Sequence, residues 1–189
     1  MQLLAPPNCE TDRLLLRRFT LEDAARHGRT FSDPLVTHYL PRGPYPAARA
    51  PDIARRTIEY FMQHWERHGY GVWAVVEKAS GDLIGQCGLN ILEEAPETEV
   101  LYLLDRPYWG RGLATEAARS AVAAGFKDVG LERIVGLTVP DNAASQRVLT
   151  KIGLRYERDA TFFGITVCYF AMNRPPRNTQ ATTDKPLLI

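Results

Sequence analysis

Cysteine is scarce in this sequence, and its few cysteines are widely separated. Cys9, Cys87 and Cys168 include no pair at the spacing of a zinc finger or a redox motif. The four histidines also form no convincing ligand cluster, so we predict no metal site. Three unpaired cysteines favour a reduced, cytoplasmic protein over a disulfide-stabilised one.

Long apolar runs and an excess of one charge are also missing. No apolar stretch approaches the ~20 residues that a membrane-spanning helix needs, and the N-terminal MQLLAPPNCE lacks the basic and apolar regions of a signal peptide. The 23 Lys and Arg residues nearly balance the 22 Asp and Glu residues, for a net charge of +1. We therefore expect a soluble protein with neither a membrane nor a nucleic-acid partner.

The chain length predicts one domain. A chain of 189 residues is long enough for one well-packed core and short for two. Residues 174–189 (RPPRNTQATTDKPLLI) are polar and proline-rich, so we predict a single domain over residues 1–173 and a flexible tail after it. Residues 41–51 contain four prolines and are predicted to form a long loop.

Strand and helix patterns alternate along the domain. Thr20 and Asp23 form a capping box that predicts a helix start, and Gly69 and Gly153 predict helix ends. The patterns predict strands at 13–18, 70–77, 83–89, 98–104 and 133–139, one or two strands within 162–172, and helices at 53–68, 113–127 and after 142. This order is typical of a mixed α/β (α+β) domain, with helices on both faces of a mixed sheet.

The segment PYWGRGLATEAA (residues 107–118) places two glycines between a strand and an alanine-rich helix. The first N–H groups of a helix lack intrahelical partners and attract anions, and glycines let a phosphate approach them. The alternative is that the glycines only relax a tight turn. No Walker A motif is present, and Gly110-x-Gly112-x-x-Thr115 lacks the third glycine of a dinucleotide fingerprint, which disfavours an NAD(P)-dependent oxidoreductase.

Four segments in the same order carry a resemblance to a known family. They are TDRLLLRRFTLEDA (11–24), LIGQCGL (83–89), YLLDRPYWGRGLATEA (102–117) and DNAASQRVLTKIGLRYE (141–157). Together they resemble the GNAT superfamily of N-acetyltransferases over about residues 10–172, and most closely the branch of ribosomal-protein N-terminal alanine and serine acetyltransferases. Pro107 stands where the family prefers Gln or Arg, and Leu154 replaces a usual Phe.

The resemblance implies the GNAT fold, with a mostly antiparallel sheet and a splayed pair of strands, 99–104 and 133–139, that holds acetyl-CoA as co-substrate. It implies that Arg111 and backbone N–H groups bind the pyrophosphate, and that the pantetheine arm pairs with strand backbone. Asn142 would hydrogen-bond the same arm, or alternatively only cap its helix. The implied pyrophosphate and pantetheine contacts are Gly110, Arg111, Gly112, Leu113, Ala114, Thr115, Tyr102, Leu103 and Leu104.

Two residues are candidates for the chemistry that the resemblance implies. The acceptor amine arrives mostly protonated, so a base must take its proton. An acid at the position of Glu99 often serves as that base in the family, directly or through water; the alternative is a solvated strand-end carboxylate. Glu94 and Glu97 lie further from the loop. Leu149 stands at the family's usual tyrosine, so Ser145 is the nearest hydroxyl for the leaving thiolate, or alternatively a helix cap.

The implied function is transfer of an acetyl group from acetyl-CoA directly to a primary amine in a ternary complex. The amine belongs to a protein N-terminus or a small molecule, and we expect its pocket near residues 38–51, which include Arg42 and Arg49. The alternative is a regulatory module of the same fold that binds an acyl-CoA without turnover. A homodimer is common among proteins of this kind, and the sequence is compatible with either a homodimer or a monomer.

Overall fold

The computed structural model describes residues 4–176, and residues 177–189 of the predicted tail lie outside the described residues. Eight strands form one sheet in the order β1-β2-β3-β4-β5-β6-β8-β7. All neighbouring strands are antiparallel except β5 and β6, which are parallel, so the mixed, mostly antiparallel sheet is confirmed. The strands are β1 Asn8–Glu10, β2 Leu14–Arg17, β3 Val72–Glu77, β4 Leu83–Ile91, β5 Thr98–Leu104, β6 Arg133–Thr138, β7 Arg155–Phe162 and β8 Ile165–Asn173.

Five α-helices accompany the sheet within residues 4–176: α1 Ala24–Ser32, α2 Pro34–Thr37, α3 Ala50–His68, α4 Leu113–Ala124 and α5 Ala143–Lys151. The capping box of Thr20 and Asp23 is present before α1. Helix α3 ends at Gly69, whose φ of +71° is the left-handed conformation that glycine adopts most easily. A π-helical turn, Gly125–Val129, continues α4 and completes the helix predicted over 113–127.

Helices cover both faces of the sheet, as the sequence predicts. On one face, Ile58 and Phe61 of α3 pack against Val72 and Ala74 of β3. On the other face, α4 buries Ala117, Ala118 and Ala121 completely, in a cluster with side chains of β2, β3 and β4. Alanine has a short side chain, so this helix lies close to the sheet.

Strands β5 and β6 part from each other soon after they meet. Their single registered pair is Glu99 with Val135, although both strands continue beyond it, to Leu104 and Thr138. Parallel strands normally share evenly spaced hydrogen bonds along their length. The divergence opens a gap toward the carboxyl ends of both strands, and β5 leads from that gap into the glycine loop.

Several segments, among them the short helix α2, differ from the pattern-based prediction. Strand β7 starts at Arg155 and was not predicted, because it is an edge strand whose residues are mostly exposed on both faces and show no apolar alternation. The proline-rich loop ends earlier than residue 51, since α3 already begins at Ala50 with a proline in its first turn. The short β1 carries no periodic signal over its three residues.

Candidate active site

The loop between β5 and α4 takes a backbone conformation that favours glycine. Gly110 has a φ of +73° and Gly112 a φ of +77°, a region that costs an L-residue roughly 1–2 kcal/mol. No heavy atom of the described residues lies within 4 Å of a Cβ built on Gly110, and only the Arg13 guanidinium, at 3.6 Å, approaches one on Gly112. The chain therefore needs glycine here for its backbone angles and not for lack of room.

The same loop presents a row of backbone donors. Within the described chain, none of the N–H groups from Gly110 to Thr115 donates to a loop carbonyl or a side chain, and the first such bond is from Glu116 N–H to the Gly112 carbonyl at 3.0 Å. Helix α4 begins at Leu113, and its macrodipole adds partial positive charge at this end. Free donors on positive-φ glycines at a helix start suit a phosphate group.

A clamp of three side chains holds this loop to the start of the sheet. The Glu116 carboxylate accepts hydrogen bonds from Thr11 Oγ1 (2.6 Å), Arg13 N–H (2.9 Å) and Arg13 Nε (2.7 Å). Arg13 Nη1 also donates to the Arg111 carbonyl at 2.9 Å. Burial acts to raise the pKa of Glu116, but these hydrogen bonds outweigh burial and hold that pKa below its ordinary value. The clamp fixes the helix end from which the free N–H groups project.

The Arg111 side chain turns away from the row of N–H groups. Its Nη2 pairs with Glu77 Oε1 at 2.5 Å, and its guanidinium carbon lies 5.3 Å from the ring centre of Tyr108. A phosphate contact from this guanidinium requires exchange of the Glu77 partner. Arg111 thus keeps a positive charge beside the loop without pointing it at the backbone donors.

The open edge of β5 exposes every second peptide group. Asp105 N–H donates to the Ile84 carbonyl, so by antiparallel alternation Leu103 also turns its backbone toward β4. Tyr102 and Leu104 then turn their backbone groups toward the gap, where the predicted pantetheine pairing needs them. The Leu104 carbonyl already accepts a hydrogen bond from Trp109 Nε1 at 2.7 Å, which leaves Tyr102 as the more accessible partner.

The far wall of the gap is the start of α5. Asn142 caps this helix, since its side-chain oxygen accepts the Ser145 N–H at 3.0 Å, as the capping alternative expects. Ser145 Oγ lies 2.9 Å from Tyr102 Oη, and the same phenol donates to the Ser145 carbonyl at 3.1 Å. The Tyr102 side chain therefore bridges the two elements, β5 and α5, that border the gap.

Glu99 is partly buried at the narrow end of the gap, next to the β5–β6 pair. Burial raises the pKa of Glu99 to about 7, against a hydrogen bond from Asn90 that lowers it. Asn90 is its cross-strand partner on β4 and accepts a hydrogen bond from Tyr60 of α3 at 3.0 Å. A carboxylate with a pKa near neutrality accepts and releases protons readily at physiological pH.

The two candidate catalytic side chains lie on opposite faces of the sheet. Glu99 shares a face with Leu101, which packs among side chains of α3. Tyr102 points to the other face, where it contacts the α4 side of the core and Ser145. Glu99 can therefore reach a group between β5 and β6 from the α3 side, and Ser145 can reach it from the α5 side.

The other acidic candidates are engaged elsewhere. Glu97 accepts a hydrogen bond from Tyr169 at 2.5 Å, and Glu94 accepts the Phe163 N–H at 3.0 Å. Both contacts tie the β4–β5 connection to the C-terminal strands. In the predicted acceptor loop, Arg42 and Arg49 are exposed, while Tyr45 packs near the Leu103 side chain on the same face as Glu99.

The described residues contain neither a metal-binding cluster nor a membrane-spanning helix. Between residues 4 and 176, no three His, Cys, Asp or Glu side chains are grouped so that they could hold a metal ion. No helix in the same range is both long and apolar enough to cross a bilayer.

Comparison with known proteins assigns the family. Residues 13–155 match the family model described as the acetyltransferase (GNAT) domain. The chain belongs to the GNAT family. One relative is the uncharacterized N-acetyltransferase YoaA of Bacillus subtilis. It is 31% identical to this chain over 176 residues, which are 92% of this chain and 93% of YoaA.

Solved structures of similar proteins share the fold. An acetyltransferase from Agrobacterium tumefaciens aligns with a TM-score of 0.77 and 25% identity, over 90% of this chain and 96% of that one. RimJ from Mycobacterium smegmatis, in complex with CoA-disulfide, aligns with a TM-score of 0.69 and 21% identity, over 90% of this chain and 85% of that one. The GNAT resemblance and the fold predicted from the four sequence segments are confirmed.

Several residues around this candidate site carry no local signal in the sequence. Arg13 and Glu116 were not singled out, although both lie in segments that carry the resemblance, because their contact joins positions 103 residues apart. Asn90 and Tyr60 were also not singled out, because their contact joins a strand to a helix 30 residues away. Alternation along two paired strands would have placed Asn90 opposite Glu99 once the hairpin register was known.

Proposed function

We propose that this protein transfers the acetyl group of acetyl-CoA directly to a primary amine in a ternary complex. The observation that carries the proposal is the row of unpartnered N–H groups at Gly110–Thr115 beside the gap between β5 and β6. Membership of the GNAT family supports acetyl transfer. The structure of M. smegmatis RimJ with CoA-disulfide supports a CoA ligand for this fold.

Acetyl-CoA would bind along the gap. The pyrophosphate would accept hydrogen bonds from the N–H groups of Gly110 to Thr115, at the positive end of α4. The pantetheine arm would pair with the outward-facing backbone of Tyr102, as an added strand does. The thioester would then lie toward the narrow end of the gap, between Glu99 on one face and Ser145 on the other.

Glu99 would take the first proton of the acceptor. A primary ammonium cannot attack a carbonyl carbon, because its nitrogen has no free electron pair. With a pKa of about 7, the Glu99 side chain is ionised in a large fraction of molecules at neutral pH and can accept that proton, directly or through water. The Asn90 and Tyr60 side chains would hold it in place.

Acetyl transfer replaces the C–S bond of the thioester with a C–N bond. The nitrogen electron pair forms a bond to the acetyl carbonyl carbon, the C–S bond breaks, and its electron pair remains on sulfur. The second proton that the nitrogen loses ends on the thiolate or in solvent. Ser145 Oγ is placed to donate a hydrogen bond to the sulfur as its charge develops.

The acceptor is a primary amine of a protein N-terminus or a small molecule, and it would reach Glu99 from the α3 side, past the loop at 38–51. We further propose that residues 1–173 form the acetyltransferase domain, that it works in the cytoplasm, and that it functions as a homodimer or a monomer. Glu99, Asn90 and Tyr60 form a small, polar and partly buried site, which is consistent with an amine ligand.

The test is release of free thiol from acetyl-CoA, measured across a panel of amines and short peptides. We expect thiol release with at least one acceptor and a loss of roughly 10²–10⁴-fold in turnover for Glu99→Gln, the size of a general-base contribution, with nearly unchanged CoA affinity. The matched control is Glu132→Gln, since Glu132 is an exposed carboxylate paired with Arg174. Wild-type turnover in the Glu99→Gln variant would remove Glu99 from the mechanism.

A regulatory module that binds an acyl-CoA without turnover is the second candidate. The observation in its favour is Leu149, which is 1% exposed and packs in the core at the position where the GNAT resemblance implies a tyrosine. Calorimetry with CoA separates the two functions. Binding of CoA without thiol release from any amine of the panel would favour the module.

A further inference from the structure

The side chain of Tyr102 forms a bridge between β5 and α5. Its phenol spans from β5 to α5 and contacts two oxygens of Ser145, the carbonyl at 3.1 Å and Oγ at 2.9 Å. The contact also places a phenol close to the serine that we assign to the leaving thiolate.

The hydrogen-bond geometry allows two arrangements of these hydroxyl groups. The Tyr102 phenol has one proton and two acceptors within reach. When it donates to the Ser145 carbonyl, the Ser145 hydroxyl proton points back to the phenol oxygen. When it donates to Ser145 Oγ, the serine proton is free to point into the gap. The Ser145 main chain is the same in both, because Asn142 caps its N–H.

We propose that Tyr102 is a positioning residue that directs the Ser145 hydroxyl proton to the sulfur of CoA. This inference rests on the proposed function, since it assigns the sulfur to the gap between β5 and α5. Negative charge on sulfur favours the arrangement in which Tyr102 donates to Ser145 and Ser145 donates to sulfur. Consecutive hydrogen bonds polarise each other, so the pair stabilises the thiolate more strongly than serine does alone.

Tyr102 keeps its own proton throughout. Burial raises the pKa of Tyr102, with the Ser145 hydrogen bond opposing that rise, so a tyrosinate is disfavoured at neutral pH. The tyrosine therefore moves no proton to the substrate and exchanges only one hydrogen-bond acceptor for another. It supplies a phenol from the strand, in a chain whose helix α5 carries Leu149 where the GNAT resemblance implies a tyrosine.

The experiment compares Tyr102→Phe, Ser145→Ala and the double variant with the wild type. Tyr102→Phe keeps the ring and its packing and removes only the hydroxyl. The control is Tyr156→Phe, because the Tyr156 hydroxyl bonds Asp159 on the exposed strand β7. Two quantities are measured: turnover with acetyl-CoA and the best amine, and the pKa of the thiol of bound CoA from the ultraviolet absorbance of its thiolate.

We expect Tyr102→Phe to lower kcat by up to about tenfold, because it removes one neutral hydrogen bond to Ser145, with little change in KM for acetyl-CoA. The pKa of the bound thiol should rise by about 1 in Tyr102→Phe and in Ser145→Ala. The double variant should be no worse than Ser145→Ala, because the two hydroxyls act as a unit. Tyr156→Phe should match the wild type.

An unchanged thiol pKa in Tyr102→Phe overturns the inference, even if kcat falls, because a purely structural role would leave that pKa where it is. If the wild type transfers acetyl groups and Tyr102→Phe does so equally well, the inference fails and the proposed function stands. If the wild type binds no CoA, both fail together.

Discussion

Alanine substitutions at glycines with the same backbone conformation separate the two explanations for the glycine loop. Gly110, Gly81 and Gly164 have φ values of +73°, +75° and +75°, and none has a heavy atom of the described residues within 4 Å of an added Cβ. Only Gly110 lies in the loop that we assign to a pyrophosphate. Alanine therefore imposes the same backbone strain at all three positions, while only at Gly110 would it place a methyl group beside the ligand.

The strain has a calculable size. A left-handed conformation costs an L-residue roughly 1–2 kcal/mol, and in a chain of this length 1 kcal/mol lowers Tm by about 2–4 °C. Each of Gly110→Ala, Gly81→Ala and Gly164→Ala should thus lower Tm by about 2–8 °C. Gly110→Ala should in addition weaken CoA binding at least about tenfold, which is about 1.4 kcal/mol, whereas the other two variants should bind CoA like the wild type.

The assays are thermal unfolding and isothermal titration with CoA, performed below the unfolding range of all three variants. Equal CoA affinity in the three variants would refute the assignment, since Gly110 would then serve only the turn. Weaker binding in all three would show that the strain acts on the whole fold and not through the loop.

Three further predictions follow from buried or partly buried side chains. Because burial raises the pKa of Glu99 to about 7, kcat/KM should rise with pH with a midpoint near 7. The Glu99→Gln variant should not show this rise, and a wild-type profile that is flat through neutrality would contradict the role of Glu99 as base. Glu116→Ala removes the hydrogen bonds from Thr11 and Arg13, which should cost about 1–3 kcal/mol of unfolding free energy and weaken CoA binding; normal CoA affinity would show that the loop does not need the clamp. Burial lowers the pKa of His27 to about 4, so between pH 6.5 and 4 the unfolded chain holds a proton that the folded chain does not. Acid therefore destabilises the fold, by up to about 3 kcal/mol from this residue, and His27→Gln should reduce that slope in denaturant titrations; an unchanged slope would refute it.

The parts of the site that sequence reasoning predicted are those with local patterns. The glycines, the alanine-rich helix and the strand before them lie within one continuous stretch, and each has a backbone reason that reads directly from residue type. Asn142 as a helix cap is local for the same reason. Alternation along β5 places Glu99 on the face of Leu101, which residue order alone is enough to show.

The parts that it did not predict depend on contacts between distant positions. Tyr102 and Ser145 are 43 residues apart, and Arg13 and Glu116 are 103 residues apart. Neither pair is visible until the sheet order brings the strands together. Arg111 illustrates a further limit, because an arginine in a phosphate loop suggests a phosphate contact, yet its guanidinium pairs with Glu77 of β3.

Direct transfer of the acetyl group to an amine can be followed with an isotopic label. The protein is incubated with acetyl-CoA carrying a deuterated acetyl group and with the acceptor that gives the fastest thiol release, and the products are quantified by mass spectrometry. We expect labelled N-acetylated acceptor in an amount equal to the CoA released. Labelled acetate in place of an acetylated amine, or bound acetyl-CoA that remains intact with every amine, would contradict it.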